Sequence, residues 1–162
     1  MSIKFTDNSE AVKAALEQAI LAGLEEAAGE IESQTKRNSR VGQACAPTKN
    51  SWQHRVEQKG EEYTATIGSD KENAIWEEFG TGEYALEGKG RKGAWYVPVE
   101  SVTGYKKPTY NGKVIIVYGK NGQQFYKTNG KKPSRAFWRA YTEKKNTAIR
   151  LIQRKINQAL KK

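Results

Sequence analysis

The sequence predicts an α+β fold of two layers, with long N-terminal and C-terminal helices packed on an antiparallel β-sheet. Three observations predict it. Apolar residues recur every three or four positions over residues 8–36 and again over 133–160; they alternate in short runs between residues 52 and 127; and glycine-bearing turns separate those runs. The length, 162 residues, suits a single domain spanning 1–162.

In the first helix the repeating residues are Val12, Leu16, Ile20, Leu24, Ala27 and Ile31, with most glutamates elsewhere on the wheel. Asp7, Asn8 or Ser9 can cap its start, and the early acids suit the positive end of the helix dipole. Gly23 and Gly29 weaken it slightly. Residues 37–51 are polar, are broken by Gly42 and Pro47, and read as a loop. Strands are expected at 52–58, with Trp52, His54 and Val56 on one face, and at 63–68, with Tyr63, Ala65 and Ile67 on one face. Lys59-Gly60-Glu61 supplies the turn between them.

Residues 74–86 predict one helical turn or a bent strand, ending at Gly80-Thr81-Gly82. Further strands are expected at 94–99, 114–118 and 123–127, the last two joined through Asn121-Gly122, a hairpin signal. Pro133 fits the first turn of the last helix, whose apolar stripe is Phe137, Tyr141, Ala148, Ile152, Ile156 and Leu160.

Composition narrows the function. Hydrophobic residues make up 36% of the chain and mean hydropathy is −0.84. Both are low, and they point to a thin domain that completes its burial against neighbours. No stretch approaches the ~20 apolar residues of a membrane span, and residues 1–10 lack the pattern of a secretory leader, so a cytoplasmic site of synthesis is expected. Cys45 and His54 are each the only residue of their kind, which excludes a disulfide within the chain and most zinc sites. They lie nine positions apart with no orienting group recognisable beside them, so a nucleophile–base pair is not expected. Glu77 and Glu78 are adjacent and therefore point apart, which argues against a carboxylate dyad. Asp70, Glu83 and Glu87 lack metal-ligand spacing. The glycine-rich loop 88–93 lacks the Walker pattern and reads as a mobile loop that orders against a neighbour. No catalytic residue, cofactor or metal is expected, and no enzyme activity.

The net charge of +10 is unevenly spread: residues 1–35 carry two bases against seven acids, and residues 131–162 carry eleven bases against one acid. Opposite helices can pair within one chain. Alternatively, the acidic helix of one subunit meets the basic helix of the next, with Arg150, Arg154 and Lys155 at the contact. Low hydrophobicity favours the second. A third use of the charge is nucleic-acid binding, with Trp95, Tyr96, Tyr105 and Tyr110 interleaved among lysines.

Several segments occur in a telling order: Ala46-Pro47-Thr48, Ser51-Trp52, Ala74, Glu78-Phe79-Gly80-Thr81, and Pro133-Ser134-Arg135-Ala136-Phe137, followed by a basic terminal helix. Together they resemble the head–tail connector (tail-completion, or neck) proteins of long-tailed bacteriophages, the gene-product-ten-like family of lambdoid phages, over residues 8–160. The chain departs from that pattern at Thr48-Lys49-Asn50-Ser51, where many relatives have a glycine, and in a longer segment from Val99 to Tyr118.

The resemblance implies a structural protein of a virion or prophage, placed at the neck or tail and assembled in the host cytoplasm. Its implied partners are a homo-oligomeric ring, other head–tail connector and tail proteins, and packaged DNA by non-specific contact, with no membrane. The motif residues are Trp76, Glu78, Phe79, Gly80, Thr81, Gly82, Arg135 and Phe137. Chemistry predicts that Gly80 and Gly82 allow positive φ or close approach, that Thr81 bonds its own turn, and that a buried Glu78 takes a backbone N–H or Arg135 as partner. A motif of this kind fixes a chain reversal, or it touches another connector protein. The alternative function is a basic nucleic-acid-binding module.

Overall fold

The computed structural model describes residues 7–40, 45–102 and 106–161. Gly42 and Tyr105 lie outside them. The elements are α1 (Ser9–Asn38), α2 (Ala46–Asn50), β1 (Trp52–Lys59), β2 (Glu62–Ser69), α3 (Glu72–Phe79), β3 (Trp95–Pro98), β4 (Ile115–Tyr118), β5 (Gln124–Thr128) and α4 (Ala136–Ala159). Single 3₁₀ turns occur at Gly82–Tyr84, Leu86–Gly88 and Val99–Ser101. The fold is α+β, as the periodicities predict. It comprises two compact units: the described parts of Met1–Gln34, Gln53–Gly68 and Ala140–Lys162, and those of Thr35–Trp52 and Ser69–Arg139.

In the first unit the long helices pack against each other and against the β1–β2 hairpin. Asp7 Oδ1 accepts the Ser9 amide at 2.9 Å and starts α1, and Lys36 and Arg37 occupy its last turn, both favourable to the dipole. The helices run antiparallel, since partners fall along α4 as they rise along α1. Glu26 meets Arg154 and Lys155, Glu30 meets Lys144 at 2.8 Å, and Gln34 meets Glu143 at 3.1 Å.

Most buried residues of the two helices are small. Gly23, Ala27, Ala28 and Ile31 are buried on α1, and Ala140 and Ala148 on α4. The expected stripes are therefore only partly core: Val12, Tyr141 and Leu160 are exposed. At Gly23 the approach is closest, because a Cβ there would lie 2.9 Å from Ile152 Cα. That glycine lowers helix propensity and in return lets the two backbones meet.

The hairpin follows its alternation. His54 and Val56 on β1, and Tyr63, Ala65 and Ile67 on β2, are half-buried, while Thr64 and Thr66 face solvent. Gly60 supplies the positive φ, +65°, for the two-residue turn.

In the second unit β3, β5 and β4 form an antiparallel sheet in that spatial order. Val97 faces Tyr126 across one ladder, and Val117 faces Phe125 across the other. The Asn121-Gly122 signal marks the β4–β5 turn, closed by Gly119 N–H to Gln123 O at 2.8 Å. Two differences from expectation stand out. The strands divide into a hairpin and a separate three-stranded sheet, with α3 and its 3₁₀ turns inserted between β2 and β3. The presumed loop 37–51 contains α2, because Pro47 sits in a first turn, where its missing N–H costs nothing.

The close helix crossing yields a test. In an open helix Gly→Ala stabilises by about 1 kcal/mol. Gly23→Ala is expected to lose stability instead, by about 1–3 kcal/mol in urea unfolding, since backbone must move to admit the methyl group. A stabilised variant would remove the close crossing from the account.

Candidate functional site

The site is the surround of the Ala74–Gly82 motif, all within the second unit. Residues 72–79 form a two-turn helix in place of one turn or a strand, and its orientation inverts ordinary expectation. The carboxylate Glu78 is buried, 8% exposed, together with Ala74. Ile75, Trp76 and Phe79 face outward, 60, 45 and 55% exposed.

The reason lies at the start of α4. Glu78 Oε2 accepts the Phe137 amide and Oε1 the Trp138 amide, each at 2.9 Å. These are two of the four orphan amides that open any α-helix. A capping carboxylate normally belongs to the residue just before the helix; here it comes from a different helix. The helix consequently begins at Ala136, and Pro133 lies before it instead of in its first turn. Arg135, the other partner considered for Glu78, does not take that role. It sits at φ +52° and lays its guanidinium over the Trp138 ring at 5.0 Å. Phe137 stacks on buried Trp52, with centroids 5.9 Å apart.

Gly80-Thr81-Gly82 then runs along Asn129-Gly130-Lys131. Thr81 N–H donates to Lys131 O at 2.9 Å, Lys131 N–H to Thr81 Oγ1 at 3.0 Å, and Glu83 N–H to Asn129 O at 3.0 Å. The glycines are required by space as well as by φ. A Cβ at Gly80 would lie 2.8 Å from Pro133 Cδ, and one at Gly82 would lie 2.4 Å from Asn129 O and 2.5 Å from the Trp95 ring. Glu77, beside Glu78, points elsewhere and meets Arg40 at 2.9 Å and Lys131.

Asn129, 1% exposed, is a residue that sequence reasoning missed. Its amide donates to Glu83 and Asn111 at 2.9 Å each and lies 3.3 Å from the Tyr84 hydroxyl. Glu83 in turn accepts the Gly93 amide at 3.3 Å, and a Cβ at Gly90 would lie 2.0 Å from Gly82 O. The glycine-rich loop is thus anchored within the chain at Gly90 and Gly93. No local pattern marks Asn129; only the pairing of distant segments makes it central.

The remaining candidates are largely engaged. Arg91 lies 5.5 Å over Trp95 and Lys127 4.3 Å over Tyr110, so these aromatic faces already carry cations. Arg154 and Lys155 both hold Glu26 of the same chain. The pairing expected between subunits is met at this seam within one molecule, because the antiparallel helices bring the opposite charges side by side. Arg150 bonds only Thr147, at 3.3 Å, among the described residues. Arg150, Arg154 and Lys161, with Gln153, Asn157 and Gln158, line a shallow open groove that contains no acid.

His54 lies between Glu32 at Nδ1 and Glu25 at Nε2, the latter at 3.0 Å, so neither ring nitrogen is available as a base for a thiol. The Glu32 carboxylate above all, with Glu25 adding, raises the imidazole above its ordinary value of 6.5, and burial opposes them. Among the described residues no group of three or more His, Cys, Asp or Glu side chains could hold a metal. No helix there is long and apolar enough to cross a membrane. Comparison with protein-family models, curated proteins and solved structures returns no match to this chain.

Two measurements check this geometry. Glu78→Ala strands two amides and is expected to cost about 2–4 kcal/mol. Phe79→Ala, on the exposed face of the same helix, is expected to cost under about 1 kcal/mol. The reverse ranking in denaturant unfolding would contradict the inverted helix.

The second measurement concerns pH. Since folding raises the His54 pKa, its contribution is complete below about pH 6.5 and is lost as pH rises through the higher folded value. The melting temperature of the protein should therefore fall relative to that of His54→Gln across this window. Parallel pH profiles would show that the imidazolium is not held by its two carboxylates.

Proposed function

We propose that this chain is a structural subunit of the head–tail junction of a long-tailed bacteriophage or prophage, a tail-completion or neck connector that acts by oligomeric assembly without bond chemistry. The observation that carries the reading is the outward face of α3. Ile75, Trp76 and Phe79 stand in solvent on a helix whose position is fixed by the Glu78 cap. A rigid exposed aromatic cluster is the usual anchor of a protein–protein contact. The motif residues that resemble connector proteins include Trp76 and Phe79, which supports assigning the cluster to neighbouring subunits or to other neck and tail proteins.

The alternative, a basic nucleic-acid-binding module, has one observation in its favour: the acid-free groove along α4 with Arg150 and Lys161. Packaged DNA passing through a neck would meet such a face, so the two readings overlap in their partner. They differ in what the chain does when DNA is absent.

Deleting the gene from its source genome and inspecting induced lysates by electron microscopy tests the proposal. Unjoined heads and tails are expected, restored to whole virions by the wild-type gene and not by Trp76→Asp with Phe79→Asp, a variant that should retain its circular dichroism. Normal virions from the deletion strain would sink the connector reading. Salt-dependent binding of a short DNA duplex, lost in Arg150→Glu with Lys161→Glu, would favour the alternative.

A further inference from the structure

Two sheet edges on this chain are complementary. β4 is an outer strand of its sheet and β2 an outer strand of the hairpin, and among the described residues no strand pairs with the far side of either. Such edges carry rows of unused N–H and C=O groups, and proteins ordinarily blunt them with prolines, bulges or charges set within the strand. Neither strand does so. β4 reads Ile-Ile-Val-Tyr, and β2 after Glu62 reads Tyr-Thr-Ala-Thr-Ile-Gly-Ser, both free of charge and proline.

The geometry of β4 fixes which groups are on offer. Gly119 N–H points inward to Gln123 O, and ladder groups alternate along an antiparallel strand. Ile115 and Val117 therefore bond β5, while Val114, Ile116 and Tyr118 turn their backbone groups outward. The side chains of these same three residues are exposed, Tyr118 to 72%.

Charge decides what can pair there. Lys113 and Lys120 bracket β4, and both are exposed. Pairing β4 with another β4 would set Lys113 opposite Lys120 in the antiparallel sense, or each lysine opposite itself in the parallel sense, which is unfavourable. β2 is bracketed by the opposite sign: Glu61 and Glu62 at one end and Asp70 at the other, all exposed. Asp70 also meets Lys71 at 3.1 Å but remains 60% exposed. Lys113 and Lys120 lie two residues beyond either end of β4, and Glu62 and Asp70 stand at the two ends of β2. Acids at both ends of β2 satisfy both lysines in either strand direction.

We infer that the β4 edge of one copy of this chain pairs with the β2 edge of a second copy, a head-to-tail contact through main-chain hydrogen bonds with lysine–carboxylate pairs at each end. Unlike edges joined in this way leave a free β4 and a free β2 on every dimer. Addition then continues into a ring where the rotation between copies closes, and into a filament where it does not. The inference deepens the proposed connector reading by naming the contact between subunits, and it rests on that reading for its biological setting.

Sedimentation of the full chain over a range of concentrations tests it. The wild type is expected to associate. Ile116→Pro removes an outward donor and no β4–β5 bond, a place where proline is tolerated, and should weaken association at least tenfold. Lys113→Glu with Lys120→Glu should do the same, as should Glu62→Lys with Asp70→Lys. An equimolar mixture of the two charge-reversed proteins should associate again, because each then offers the edge that the other lacks. The charge variants keep the test decisive if the proline variant fails to fold by circular dichroism.

If the wild type associates and the charge variants associate equally well, the edge contact is wrong and the connector reading stands. If the wild type stays monomeric at every concentration, the edge contact is again wrong, and the deletion experiment judges the connector reading separately.

Discussion

A single carboxylate organises the second unit. With both oxygens of Glu78 on the opening amides of α4, the last turn of α3 and the first turn of α4 are held to one geometry. Replacing two N–H bonds to water with two charge-assisted bonds in a buried site leaves little tolerance for displacement. Everything after Phe79 must then pass close beneath the segment leading into α4, and glycine is needed at 80 and 82 for that passage. The outward apolar face of α3 follows from the same constraint. With Ala74 and Glu78 both turned inward, Trp76 and Phe79 fall on the opposite side of the helix.

Asn129 extends this order to the loops. Its side chain joins the 3₁₀ turn at Glu83 and Tyr84 to the turn at Asn111, and Glu83 reaches on to Gly93. Segments far apart in sequence thus share one buried polar network. The aromatic cluster of α3 is presented from a surround whose loops are already ordered. A surface prepared in that way loses less conformational entropy when a partner arrives.

Much of the architecture was legible because periodicity reports burial. The spacing of Ile20, Leu24, Ala27 and Ile31 located α1, and the alternation through Tyr63, Ala65 and Ile67 located β2. Asn121-Gly122 located the β4–β5 turn. The failures have physical causes. The outward face of Trp76 and Phe79 was not legible, because hydrophobicity cannot register that a neighbouring glutamate has a stronger claim on the interior. Gly23 read as a weakness, since a close backbone approach is visible only once both helices are in place. Asn129 and the β2 and β4 edges depend on pairings between distant segments. Glu78 stood between: the sequence offered a backbone amide or Arg135 as its partner, and the fold chose the amide.

The small-residue packing has a thermodynamic consequence. Among the described residues, six of the nine buried apolar residues are alanines, Ala27, Ala28, Ala74, Ala136, Ala140 and Ala148. Alanine releases little nonpolar surface to water on unfolding, so these residues add little to the heat-capacity increment, and a smaller increment flattens a stability curve. In the proposed assembly, a contact that removes Ile75, Trp76 or Tyr118 from water would add nonpolar burial that the isolated chain lacks, and the curve would deepen and sharpen. On the proposed reading, the thermal behaviour of the subunit would be set by the assembly it joins.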